Sequence, residues 1–302
     1  MLQHKRKRIP LLNEYLNNPP NFEELSNQFH EFKQYVYKTK SGNYSINWND
    51  AKAVLTLNKC LLKKDFNVDY YDVPSNFLIP TIPSRLNYLL FLKKLLMIFD
   101  LENTEQITVI DIGTGANIIY PLLGCSKYHW NFIASDTNTE AIENAKKIIK
   151  NNNLENQIII KHQNDPMKIF EGIIDANEYN ERDFVFSMCN PPFYDSETEL
   201  KFENNKKDNE FNFSEVYYKG GEFQFIMNII QESEIFKKNI FIFTSLMGKK
   251  TTFKKIKRIF TQNTEKFPFF KHETLIQGNN VRWVVAWSYF KSYSDFKNQN
   301  HK

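Results

Sequence analysis

Apolar positions along this chain change their spacing near residue 100. Before it they recur with helical periodicity. Asn21 stands three residues ahead of Glu24, just after Pro19-Pro20, in the spacing of a capping box. This predicts a helix from about Asn21 to Tyr37. From Asp50 onward, Ala53, Val54, Leu57, Cys60 and Leu61 share one face of a second helix. A third follows Pro83, with Leu86, Leu89, Leu92, Leu95 and Leu96. After residue 100, short apolar runs alternate with helix-patterned stretches. The runs are Ile107–Ile112, Phe132–Ala134, Ile158–Ile160, Phe184–Met188, Ile240–Thr244 and Val281–Tyr289. The helical stretches are Asn138–Asn151, Gly221–Glu234 and Phe253–Phe260. Strand–helix alternation with buried-type strands predicts an α/β fold on a mostly parallel sheet. The expected organisation is a helical N-terminal module over residues 1–100, followed by an α/β domain over 101–302. In such sheets ligands bind at the carboxyl ends of the strands.

Composition removes several classes. With 41% hydrophobic residues the chain can pack a core, so wholesale disorder is excluded. The longest apolar stretch, Tyr88–Phe99, is short and interrupted by Lys93 and Lys94, which argues against a bilayer span. The basic residues Lys5 to Arg8 precede polar sequence rather than a signal-peptide apolar segment. A soluble, intracellular protein with no membrane partner is expected. Cys60, Cys125 and Cys189 are widely separated, and no histidine pair has metal-ligand spacing. Neither a disulfide framework nor a metal site is expected. A net charge of +4 is compatible with a polyanionic partner. Lysine greatly outnumbers arginine, so the interior Arg85, Arg182, Arg258 and Arg282 each raise the question of a bidentate anion contact.

Three signals stand at strand ends. Val109-Ile110-Asp111-Ile112 runs into Gly113-Thr114-Gly115, where glycine allows a tight turn and close approach of a ligand. The next strand ends in Asp136, placed to accept hydrogen bonds from ribose hydroxyls or to cap the helix that follows. No third glycine completes a dinucleotide fingerprint, since Asn117 and Ile118 follow Ala116. That favours a nucleoside without phosphates, such as S-adenosylmethionine. The third signal is Asn190-Pro191-Pro192-Phe193, directly after Phe184–Cys189. Two prolines after Asn make a stiff, non-helical turn. The Asn190 amide oxygen and a neighbouring carbonyl can accept two hydrogens from a planar amine, while Phe193 stacks on its ring. Acceptors arranged for a pyramidal nitrogen stabilise the charge that grows on it during methyl transfer.

At these residues the chain resembles the class I, Rossmann-like S-adenosylmethionine-dependent methyltransferases, and more closely the methyltransferase-like protein 16 family. The blocks that carry the resemblance include Ile79 to Tyr88, Asp111 to Ala116, Ile119 to Gly124 and Met188 to Phe193. Further blocks are Gly220-Gly221-Glu222, Met247 to Lys250 and Arg282 to Trp287. The resemblance implies methyl transfer to adenosine N6 in structured RNA, with U6 small nuclear RNA as substrate and a monomeric enzyme. Related bacterial enzymes modify adenosine in 23S ribosomal RNA, which is the alternative, along with guanine N2 or protein glutamine N5 transfer. It also implies site roles. Arg85 contacts the methionine part of the cofactor, where a guanidinium suits a carboxylate. Asp111, Gly113, Gly115, Asp136 and Asn190 complete the cofactor site. Asn190, Pro191, Pro192 and Phe193 form the catalytic turn, and Arg282 serves RNA contact. The family's Arg-rich loop is replaced by Glu199 to Phe213, where Lys201, Lys206 and Lys207 face Glu203, Asp208 and Glu210.

RNA contact is also expected of the lysine-rich stretch from Lys249 and Lys250 to Arg258, which would line one helix. The cluster His4 to Arg8 reads as a nuclear-localisation signal or an RNA-binding arm. The nucleus is favoured over the cytoplasm. A catalytically inactive RNA-binding scaffold is the reading from another class, and intact Asp111, Gly113, Asp136 and Asn190 argue against it.

Overall fold

Capping side chains decide where several helices begin. In the computed structural model, which describes residues 13–104, 106–174, 184–194, 213–278 and 280–300, Asn21 accepts from the Glu23 and Glu24 amides. Asp50 does the same for Lys52 and Ala53, and Asn138 for Ala141. The helices are α1 Glu14–Asn17, α2 Phe22–Gln28, α3 His30–Lys33, α4 Ala51–Phe66, α5 Ile82–Ile98 and α6 Ile119–Tyr128. They continue with α7 Thr139–Asn151, α8 Phe213–Val216, α9 Gly221–Ile235, α10 Lys250–Gln262 and α11 Tyr293–Asn300. The strands are β1 Val36–Lys38, β2 Tyr44–Ile46, β3 Thr108–Ile112, β4 Asn131–Asp136, β5 Ile158–His162, β6 Phe184–Cys189, β7 Ile240–Met247, β8 Phe269–Gln277 and β9 Asn280–Ser288. The cluster His4 to Arg8, Arg182 and the segment 199–212 lie outside the described residues.

Two expectations need correction. The helix foreseen over Asn21 to Tyr37 breaks at Phe29, which is extended (φ −120°, ψ 100°), and its end is strand β1. Val36 and Tyr37 suit a strand, and they pair antiparallel with β2 around a left-handed Gly42. Strand β8 was not foreseen at all. It is the edge of the large sheet and stays partly exposed along its length, so it lacks the continuous apolar run of the interior strands.

The large sheet has the order β5-β4-β3-β6-β7-β9-β8. Strands β3 to β7 run parallel, and β9 is antiparallel to both β7 and β8. Alternate residues feed two cores. Val109, Val284 and Ala286 face the side packed by α4 to α7. Ile110, Val285 and Trp287 face the side packed by α9 and α10. Leu25, Phe32, Leu61 and Leu89 of the N-terminal helices belong to the same buried cluster as Val109. The chain steps outward from β3 to β5 and returns to β6 on the other side of β3. That reversal opens a crevice between the carboxyl ends of β3 and β6. No helix among the described residues is long and apolar enough to cross a membrane.

Candidate functional site

The crevice is built from the loops that leave β3, β4 and β6. Gly113 and Gly115 both have positive φ, 67° and 68°. At Gly113 the requirement is conformational, since a Cβ would meet nothing within 4 Å. At Gly115 it is also steric, since a Cβ would stand 2.9 Å from Glu215 Oε1. The loop is pinned to β4. Thr114 N donates to the Ser135 carbonyl at 2.9 Å, and Gly115 N to Asp136 Oδ2 at 2.8 Å. Asp136 Oδ1 accepts from Asn138 N at 2.9 Å. The helix-cap role weighed for Asp136 falls to Asn138. Asp136 lines the cavity with lone pairs to spare, because an ionised carboxylate has about four acceptor sites.

One cavity contains Arg85, Gly113, Gly115, Asp136, Asn190 and Pro192 of the expected residues. A second contains Arg85, Asn190, Phe193 and Arg282. Asn190 and Arg85 therefore border both. The Arg85 guanidinium lies over the Tyr120 ring at 5.9 Å, and that of Arg282 over Phe193 at 5.2 Å. Burial, then the charge of Arg85, pushes Arg282 below its ordinary value. Two cations so close favour an anionic or electron-rich visitor. Asp111 lines neither cavity and lies beneath the glycine loop, where its Oδ2 is buried without a partner. Burial pushes its carboxyl up to about 7. The Thr114 hydroxyl eases this from one side without the alignment of a hydrogen bond, and Asp136 adds to it. Pro191 is buried and lines neither cavity. Lys249 and Lys250 stand outside both, at the start of α10.

Three groups escaped sequence reasoning. Glu215 lines the first cavity and accepts from Leu78 N at 2.7 Å. Burial pushes it up to about 7, against the pull of the Leu78 and Ala116 amides. Glu222 is buried, accepts from Gly248 N, and accepts from Lys249 N at 3.2 Å. This holds the turn under Phe193 so tightly that a Cβ at Gly248 would meet that ring at 2.7 Å. Tyr88, from α5, closes a buried relay. Cys189 N donates to Tyr88 Oη at 3.2 Å, and Thr244 Oγ1 donates to the Ser187 carbonyl at 2.8 Å. Tyr88 therefore donates its proton to Thr244 Oγ1, 2.7 Å away. The strand end that presents Asn190 is thus fastened to α5. Glu222 and Tyr88 fall inside quoted sequence blocks, but no local pattern assigns them these partners.

The donor set fits S-adenosylmethionine. Asp136 and Glu215 line the first cavity beside the glycine loop, where carboxyl oxygens suit ribose hydroxyls and a positively charged ligand. Arg85 supplies the opposite charge for a carboxylate. Among the described residues no group of three or more metal-ligating side chains is placed to hold a metal ion.

A family model described as RNA methyltransferase matches residues 4–291. Ribosomal RNA large subunit methyltransferase F of Pseudoalteromonas translucida is 35% identical, with 94% of each chain covered. The U6 small nuclear RNA (adenine-(43)-N(6))-methyltransferase of Drosophila pseudoobscura pseudoobscura is 33% identical, with 91% of each covered. The human METTL16 catalytic domain, solved with a MAT2A 3′UTR hairpin, superposes with TM-score 0.80 at 32% identity, covering 92% of this chain and 96% of that one. Its N-terminal domain in complex with SAH gives 0.78 at 32% identity, covering 92% and 98%. The chain spans about half the length of the vertebrate relatives it matches.

Proposed function

This chain belongs to the RNA methyltransferase family, and from that premise we propose that it methylates N6 of an unpaired adenosine in structured RNA. U6 small nuclear RNA is the first substrate to test. The observation that carries this reading is the position of Asn190, at the junction of the two cavities.

S-adenosylmethionine is the methyl donor, supplying when bound a methyl group on a positively charged sulfur. Arg85 is the partner for its carboxylate, and Asp136 for its ribose hydroxyls. Asp111 and Glu215, both pushed up to about 7 by burial, add negative charge beside the glycine loop as they ionise. In the second cavity Phe193 stacks on adenine, and Arg282 holds that ring in place from behind. The Asn190 amide oxygen and a carbonyl of the Asn190–Pro192 turn accept the two N6 hydrogens. This draws the nitrogen lone pair out of the ring and toward the first cavity. The lone pair forms the new N–CH3 bond as the S–CH3 bond breaks, and the amine then releases one proton to water. No strong base is required, because the acceptors stabilise the charge that grows on nitrogen.

Arg282, Lys249 and Lys250 position the RNA backbone, together with the N-terminal module of residues 1–100. The target base must leave its stack, which costs least in a bulge or loop. The protein acts as a monomer in this reading. A U6 substrate places it in the nucleus. Match along nearly the whole length of the bacterial methyltransferase F supports 23S ribosomal RNA as the second substrate to try. The test uses the transcribed RNAs and tritiated cofactor. Label is expected on one adenosine and is lost when that base becomes guanosine. Label on guanosine, or on a protein glutamine, would overturn the reading.

A further inference from the structure

Beyond the target-base pocket the same cleft continues into a groove of about 670 Å³, within the range of ligand sites. Thr81, Gln277 and Asn280 line both the second cavity and this groove, so the two are continuous. Its far wall is aromatic, formed by Phe22, Tyr44 and Trp48. Trp48 is 54% exposed, and its ring sits 6.1 Å from that of Phe22 at an angle of 57°. Nothing in the core needs a half-open indole there. None of the described residues lining the groove is charged. A phosphate finds no charged partner among them, whereas a neutral planar ring finds an aromatic face.

We propose that this groove is a second base-binding site, in which Trp48 stacks on an unpaired nucleobase flanking the target adenosine in the same RNA. The proposal rests on the RNA reading above. Continuity with the target pocket lets an RNA strand that enters one cavity extend into the other. The polar Thr81, Gln277 and Asn280 at the junction offer donors and acceptors to the intervening sugar or base edges. The hairpin of β8 and β9 supplies Gln277 and Asn280 at its tip, where Gln277 pairs with Asn280 across a left-handed Gly278. Base stacking on aromatic side chains tolerates any base, so the site would measure where an unpaired nucleotide lies relative to the target. It would favour RNAs with two unpaired positions at the right separation over those with a single bulge.

The test measures binding and methylation of transcribed U6 small nuclear RNA and a 23S ribosomal RNA fragment by wild type, Trp48→Ala and Trp48→Phe. Trp48→Ala should raise the RNA Kd about tenfold and leave cofactor affinity and melting temperature unchanged, while Trp48→Phe restores most of the binding. Abasic nucleotides are then placed one at a time beside the target. One position should cost the wild type as much as Trp48→Ala does and cost that variant nothing further. If Trp48→Ala melts early, Trp48→Leu, which keeps apolar bulk and removes the aromatic face, is measured instead. A folded variant that binds RNA like the wild type would overturn the proposal, and so would abasic costs that are equal in both proteins. Intact coupling to Trp48 with no methyl on adenosine would sink the adenosine reading and leave the groove standing.

Discussion

At the scale of single residues the site depends on a few atoms with no substitutes. Asn190 contributes one side-chain acceptor at the junction of two cavities. Asn190→Ala should lower kcat by roughly 10²–10³, equivalent to about 3–4 kcal/mol, with the melting temperature unchanged. Retention of half the wild-type turnover would exclude the proposed amine pocket. Tyr88 tests a different idea, that the catalytic turn is held from behind. Tyr88→Phe keeps the ring and removes the group that joins Cys189 N to Thr244 Oγ1. A buried donor left unsatisfied costs about 1–3 kcal/mol, so stability should fall by that order. Turnover should fall while the Kd for S-adenosylmethionine holds, as measured by single-turnover kinetics and calorimetry. A loss of stability with unchanged turnover would reduce Tyr88 to a packing residue.

At the scale of elements, the loop between β3 and α6 combines backbone strain with close packing. Two glycines with positive φ are followed by Ile118, a β-branched residue that also has positive φ, 39°. Such strain persists only where the surroundings over-determine it, and here they do. Asn117 accepts from Ile119 N and donates to the Leu78 carbonyl, while Glu215 closes the far side. Gly115→Ala combines a disfavoured backbone with a contact to Glu215, whereas Gly113→Ala suffers only the former. Cofactor affinity should therefore fall further for Gly115→Ala than for Gly113→Ala, which titration calorimetry would show directly. Equal losses would mean that conformation alone matters. The start of α10 is the reverse case. Lys249 and Lys250 sit where a helix dipole disfavours cations. The buried Glu222 carboxylate offsets them and holds the turn beneath Phe193.

At the scale of the whole molecule, ligand charge and stability are linked through Asp111 and Glu215. Burial raises the first from 3.8 to about 7 and the second from 4.5 to about 7. The folded state thus binds these protons more tightly than the unfolded chain. Their contribution favours folding at low pH and is lost as pH rises from about 4 to about 7. Without cofactor, the melting temperature should be higher at pH 5.5 than at pH 8, and Asp111→Asn should flatten that slope. Binding of the positively charged cofactor should do the opposite and strengthen from pH 6 to pH 8, as the acids ionise. A slope identical in wild type and Asp111→Asn would remove Asp111 from this account.

What the sequence alone determined was local in origin. The helical and strand periodicities, the cap at Asn21, the glycine loop and the Asn190–Phe193 turn each arise from residues close together in the chain. They were legible because burial period, turn conformation and capping act within a few positions. Tertiary structure decided what acts over distance. Glu215 meets Leu78 across 137 positions, Tyr88 meets Thr244 across 156, and Thr81 shares a groove with Gln277 and Asn280. Each is a single polar or aromatic side chain with no periodic signature of its own. The edge strand β8 was missed for a related reason, since a half-exposed edge need not be apolar. Local pattern places a residue on an element. Only the packing of that element selects its partner, because hydrogen bonds and ring contacts form between surfaces that the chain order does not bring together.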